Sequence, residues 1–163
     1  MSEKKVTTEE QNKVASFTVL KQYIKDLSFE NPHATEAMYT GNISPSASIN
    51  VNVDATKLSE NELDHEVVLT FNAKAQHENL VLFNIELSYA GIFRLENIPE
   101  EQVKPLLLIE GARLLFPFAR HLISATTSEG GYMPLLLEPV NFAALYQSTL
   151  EAQQNATPNK EQK

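Results

Sequence analysis

The sequence predicts an α+β fold: a four-stranded antiparallel sheet followed by a long helix and a C-terminal helix. Residues 14–95 carry apolar side chains at the two-residue spacing of strands, broken by short polar turns. Residues 100–153 change to the spacing of helices. At 163 residues and 42% hydrophobic, the chain can bury one core but is short for two ordinary domains. Sheet first and helices after is the α+β order.

Val14–Glu30 has two readings. Leu20, Ile24 and Leu27 recur at helical spacing, while Phe17, Val19, Tyr23, Leu27 and Phe29 share one parity. Its β-branched and aromatic content decides for a strand. Asn31-Pro32 then opens an irregular segment running through Gly41 and Pro45. Ser48–Asp54 alternates cleanly, with Ile49, Val51 and Val53 on one face and Asn50, Asn52 and Asp54 on the other. After the acidic turn Ala55–Asp64, the run Glu66–Gln76 sets Val67, Leu69, Phe71 and Ala73 against Val68, Thr70, Asn72 and Lys74. His77-Glu78-Asn79 reverses the chain into a fourth strand, Leu80–Leu95. Consecutive strands on short polar turns pair antiparallel.

Glu100–Ala125 reads as a helix with Val103, Leu106, Leu107, Leu114, Leu115, Phe118 and Leu122 on a broad apolar stripe. Pro99 and Gly130-Gly131 punctuate it, and Pro117 predicts a kink. Prolines at both ends of Met133-Pro-Leu-Leu-Leu-Glu-Pro139 make Tyr132–Pro139 an extended strap. Asn141 suits the N-cap of a last helix, Phe142 to about Gln153. The polar flanks 1–13 and 154–163 are expected to be disordered tails around one domain, 14–153.

Formal charge is −8, and both tails are balanced, so residues 14–150 carry the whole excess. Such a chain repels phosphate, which disfavours nucleic acid and anionic membrane and favours a basic protein partner. Cysteine is absent, removing disulfides, thiolate metal sites and thiol nucleophiles together. The N-terminal stretch has no apolar signal region, and Leu106–Phe118 is broken by Glu110 and Arg113 and too short to span a bilayer. The expectation is a soluble intracellular protein.

No residue pattern nominates an enzyme. His33, His65, His77 and His121 are scattered without a second ligand at metal spacing. Only His121, beside Arg120, draws weak notice. The five glycines form no phosphate loop, and no serine sits in a GxSxG elbow. The Glu60-Glu62-Asp64-Glu66 run lacks the calcium-loop glycine.

What stands out is apolar surplus. In Leu80–Leu95, Val81, Phe83, Ile85, Leu87 and Tyr89 make one face wholly apolar, while the other turns polar from Asn84. With the leucine-rich helix and strap, this fits a well-filled monomer core or a subunit interface plus an exposed groove. Asp26, Ser28 and Glu30 share the opposite kind of face, and Glu86 can join them, a docking site for a basic partner or an ordinary solvated face.

Lys25-Asp-Leu-Ser-Phe-Glu30, Gly91-Ile-Phe93, Leu115-Phe-Pro-Phe-Ala-Arg120 and Pro139-Val-Asn-Phe-Ala-Ala-Leu-Tyr146, in this order and spacing, make the chain resemble SecB, the bacterial export-chaperone family, over about residues 17–150. The resemblance implies a SecB-like sheet with two helices, assembled as a dimer of dimers. It implies a cytoplasmic, ATP-independent holdase that keeps unfolded secretory precursors translocation-competent and delivers them to SecA, using no metal or cofactor. SecA-contacting acids of the family correspond to Asp26, Glu30 and Glu86. A family leucine in that patch is replaced by Asn84. Phe83, Ile85, Leu87 and Tyr89 fall in the stretch tied to subunit association, and a client groove is expected at Tyr39, Ile43, Phe142, Leu145 and Tyr146. The tryptophan common near Tyr39 is missing. The family's zinc-binding tail also contacts SecA, whereas this tail is near neutral. A chaperone of the same fold dedicated to a toxin–antitoxin pair is the alternative, and a small-molecule binder or hydrolase the rival from another class.

Overall fold

The computed structural model describes residues 13–41, 43–58 and 63–156. They form β1 (Ser16–Glu30), α1 (Ala34–Thr40), β2 (Ser46–Lys57), β3 (Asp64–His77), β4 (Leu80–Glu96), α2 (Glu100–Leu106), a π-helical turn (Leu107–Gly111), α3 (Ala112–Glu129) and α4 (Phe142–Asn155). The strands make one antiparallel sheet in the order β1-β4-β3-β2. The α+β class and the four-stranded sheet stand as the alternation predicted. Residues 1–12 and 157–163, and Ser59 to Glu62 of the acidic turn, lie outside the described residues.

The departures have physical causes. β1 shows both helical spacing and one parity because it is bulged twice, between Val19 and Lys21 and between Ile24 and Asp26. Each extra residue flips the alternation. Phe17, Val19, Ile24, Leu27 and Phe29 therefore share the inner face, and Tyr23 turns outward, against the expected parity. A third shift, between Ala75 and Gln76, makes Leu82 the extra residue of β4. Val81 thus leaves the face of Phe83, and Leu82 is itself buried.

The segment expected to be irregular contains α1. Pro32 lies just ahead of it and Gly41, at φ 76°, closes it in the left-handed conformation, which a glycine adopts without penalty. The main helical region continues to Glu129 rather than ending at Ala125. Its irregularity falls at Leu107–Gly111, whereas α3 runs through Pro117 unbroken. Pro105, two residues upstream, has no N–H for the usual helical bond, and the wider turn follows it. The Asn141 side chain caps α4 by accepting from the Ala144 N–H at 3.0 Å, as expected, and the helix reaches Asn155.

The core lies between the inner face of β3 and β4 and the buried stripe of α3. Val67, Leu69, Phe71, Leu87 and Phe93 pack under Leu107, Leu115, Ala119 and Ile123, all almost fully buried. Each large apolar side chain so enclosed contributes about 1.5–3 kcal/mol. Gly91 keeps the layers close, since a Cβ there would stand 2.9 Å from Leu115 Cδ2.

One end is tied by polar groups. Thr127 Oγ1, fully buried, donates to the Ile123 carbonyl and accepts from the Leu135 N–H, both at 2.9 Å. The Tyr132 hydroxyl donates to Asn31 Oδ1 at 2.7 Å and lies 3.1 Å from the Leu82 carbonyl. Asn31 Nδ2 donates to the Gly130 carbonyl at 3.0 Å. The strap, the end of β1 and the end of α3 are thereby joined. Thr127→Val keeps the shape and removes both bonds. It is expected to cost about 1–3 kcal/mol, read as a lower midpoint of urea unfolding; an unchanged midpoint would show that Thr127 does not hold the strap.

Candidate functional site: an acidic sheet face and apolar troughs

The outer face of the sheet is a polar grid. Cross-strand register aligns Asp26, Ser88, Thr70 and Asn52 in one row, and Ser28, Glu86, Asn72 and Asn50 in the next. Glu30, Asn84, Lys74 and Ser48 form the third. The bulge at Lys25 makes this possible, because without it Asp26 would point to the core side. Glu30, Glu86, Asn84 and Lys74 line a shallow depression of about 360 Å³.

Farther along this face two of the acids are neutralised internally. Glu66 accepts from Lys25 Nζ at 2.8 Å and from the Tyr23 hydroxyl at 2.5 Å. Asp64 takes two bonds from the Arg94 guanidinium at 2.7 and 2.8 Å. The Lys25 and Tyr23 hydrogen bonds hold the Glu66 carboxyl below its ordinary value. Burial, reinforced by the bond to Glu66, pushes the Tyr23 phenol up to about 12. Among the described residues no ion pair or hydrogen bond engages the side chains of Asp26, Glu30 or Glu86, and all three are exposed. Asp54 of β2, exposed on the same face, accepts only from the neutral Asn52 amide at 2.6 Å, so it too keeps its charge uncompensated by an ion pair among the described residues.

The opposite side is apolar and only partly covered. Phe142 is buried with its ring edge-on to Phe116, centroids 6.0 Å apart. Phe142, Leu145 and Tyr146 of α4 line a small pocket with Val53 and Leu108. Val53, Leu108 and Tyr146 also line an adjoining trough of about 450 Å³, which reaches Val103 and buried His65. Tyr39 and Ile43 do not join them. They lie at the α1 end, where Ile43 lines a separate 260 Å³ pocket with Met38, Tyr132 and Met133, and Tyr39 is 93% exposed. Phe83, Ile85, Leu87 and Tyr89 are buried in the chain's own core. Above them is an uncovered apolar strip that the sequence reading missed: Ile24 and Leu27 of β1 with Leu114 and Phe118 of α3, each 39–49% exposed. Ile24 pairs with Tyr89 and Leu27 with Leu87, and the Phe118 ring stacks on Tyr89 at 6.1 Å. Its signal in the sequence is Leu114 and Phe118, one turn apart on the broad apolar stripe, whose spacing does not separate covered from uncovered positions. Among the described residues no helix is long and apolar enough to cross a membrane.

The fold is thus a small α+β unit that presents exposed acids on one sheet face and apolar hollows on the other. Residues 9–153 match the family model of SecB, described as preprotein translocase subunit SecB, and the chain belongs to that family of protein-export chaperones. It is 49% identical to the protein-export protein SecB of Rhodopseudomonas palustris (strain HaA2) over 86% of this chain and 89% of that one. With the protein-export protein SecB of Bartonella bacilliformis it shares 44% identity over 91% and 92%. Its fold is similar to that of the SecB-like chaperone of Mycobacterium tuberculosis, solved in complex with a ChAD peptide from the HigA1 antitoxin. The TM-score is 0.64, with 12% identity over 76% of this chain and 90% of that one. That likeness speaks for the fold alone; the relatives carrying the export name share far more sequence with this chain and support a SecB chaperone for protein export.

The Glu66 cluster sets a pH dependence. Because the folded carboxyl titrates below its unfolded value, usually 4.5, its stabilisation is complete above that value and is lost as pH falls through the folded one. Tyr23, raised from 10.0 to about 12, contributes fully below pH 10 and loses its contribution as pH rises toward 12. Glu66→Gln is expected to flatten the acid limb of the urea midpoint-versus-pH curve and to bring the Tyr23 phenol back toward 10. An acid limb identical to wild type would place the sensitivity on other carboxylates.

Proposed function

We propose that the chain is an ATP-independent holdase of the cytoplasm, assembled as a dimer of dimers, which keeps unfolded secretory precursors translocation-competent and hands them to SecA. The observation that carries this reading is the opposite chemistry of the two sides of one thin sheet. Apolar hollows take client segments by burial, which is non-directional, indifferent to client sequence and driven without a fuel molecule. Holding then lowers the free concentration of the unfolded chain by mass action. The trough under Phe142, Leu145 and Tyr146 and the tip around Tyr39 and Ile43 form two separate client contacts on one protomer. Two weak contacts on one client multiply through effective concentration, and several protomers extend the effect.

The acidic row Asp26, Glu86 and Glu30 is the docking surface for SecA. Unpaired carboxylates steer a basic partner and set its register, and Asn84 supplies a neutral amide where an apolar contact would otherwise lie. In self-association, Ile24, Leu27, Leu114 and Phe118 form the contact strip, and Phe83, Ile85, Leu87 and Tyr89 act from beneath by holding it in shape.

Two experiments separate these surfaces. Asp26→Lys with Glu30→Lys is expected to weaken SecA binding by about tenfold or more, while suppression of precursor aggregation without nucleotide stays near wild type. Equal loss of both activities would sink the division of labour. Phe118→Asp places a charge on the apolar strip and is expected to shift the sedimentation profile toward smaller species. A wild-type profile would remove Phe118 from the association surface.

A further inference from the structure

The chain has no cysteine and three methionines, and both internal ones, Met38 on α1 and Met133 on the strap, line the same 260 Å³ pocket. The pocket is otherwise built from Ile43, Pro45, Tyr132 and backbone. Met133 is 86% exposed and Met38 44%. Gly131, at φ 88°, makes room for Met38, because a Cβ there would stand 2.7 Å from Met38 Sδ. The two thioethers thus serve different purposes. Met133 lends the pocket a flexible, polarisable rim, while Met38 seats α1 against the turn that starts the strap. Both suit irregular, changeable apolar partners, for which methionine is the most adaptable side chain.

We infer that the Met38–Met133 pocket is an oxidative modification site, at which peroxide-class oxidants convert both thioethers to sulfoxides and lower the affinity for clients. The inference rests on the reading of this tip as a client contact. A sulfur lone pair attacks one oxygen of hydrogen peroxide, the S–O bond forms as the O–O bond breaks, and the other oxygen leaves as hydroxide and takes the proton of the transferred hydroxyl to become water. Sulfur is oxidised by two electrons and the peroxide reduced by two. The product is polar and chiral, and methionine sulfoxide reductases reverse it. At Met133 it sets a strong hydrogen-bond acceptor on the rim where a client's apolar side chain would rest. At Met38 it adds an oxygen where the sulfur already fills the space left by Gly131, so α1 must move.

The test treats the full-length protein with hydrogen peroxide, removes the peroxide, and maps oxidation by peptide mass spectrometry. Binding to reduced, carboxymethylated α-lactalbumin, a permanently unfolded chain, is then measured. Met133 is expected to gain oxygen first, roughly twice as fast as Met38 or faster given their exposures. Affinity is expected to fall by about tenfold and to recover with sulfoxide reductase. Met38→Leu with Met133→Leu, which leaves Met1 as the only sulfur, should keep its affinity after the same treatment. Unchanged affinity in wild type with both sulfoxides present overturns the inference, as does an equal loss in the double leucine variant. Untreated Met133→Gln separates the two readings. If it binds the unfolded probe as well as wild type, the tip is not a client contact and the groove reading fails there. If it binds weakly while oxidised wild type binds fully, only the oxidation inference fails.

Discussion

A helix is narrower than the sheet it must cover, and most of this molecule follows from that mismatch. Four strands spaced about 4.8 Å apart present an inner face too broad for one helix about 10–12 Å across. Along the sheet α3 settles over the middle, on β3 and β4, whose inner side chains are almost wholly buried. Both flanks stay half-dressed. On the β1 side, Ile24 and Leu27 keep substantial exposure beside Leu114 and Phe118. On the β2 side, α4 leans over the edge and leaves a trough instead of a seam. A second helix laid flat on either flank would cover these apolar margins. The apolar surplus in the composition is thus neither excess core nor one continuous groove, but two margins of a single sheet.

The outer face is organised by a different principle, the separation of satisfied from unsatisfied charge. Asp64 faces Arg94 directly across the strands, and Glu66 meets Lys25, which reaches from the β1 bulge across β4. Toward the other end the acids of β1 and β4 have only hydroxyls and amides as neighbours, with Lys74 the nearest cation along the Glu30 row. Exposed ion pairs add little stability singly. Their larger consequence here is to take two carboxylates out of the field of this face, whose uncompensated charge falls instead on acids such as Asp26, Glu30, Glu86 and Asp54.

Legibility in the sequence tracked how local each feature is. Period-two alternation in residues 49–54 and 66–76 reports directly which side of a strand is wet, so β2 and β3 could be read at once. β1 resisted because two bulges break its parity, and one of them also keeps Asp26 on the acidic face. α1 has under two turns and no side-chain cap, leaving Pro32 and Gly41 as its only markers. The π turn could not be foreseen, since Pro117 looked the better place for a break and α3 accommodates it on its exposed side. Apolar hollows were least legible. Each is made where elements far apart in sequence meet, as when Met38 faces Met133, and no spacing rule connects such residues.

The Asn31–Tyr132 bond joins groups 101 positions apart, and Asn31 to Gly130 spans 99. On a chain that leaves the ribosome N-terminus first, Asn31 waits for about a hundred residues before its partners emerge. Sheet and central helix can already be packing by then, because their contacts close earlier. The tip around Met38 and Tyr132 therefore takes shape after the sheet, and the trough lined by α4 later still. Such a schedule makes the tip a late joint, held by bonds that its early half cannot make before its late half exists.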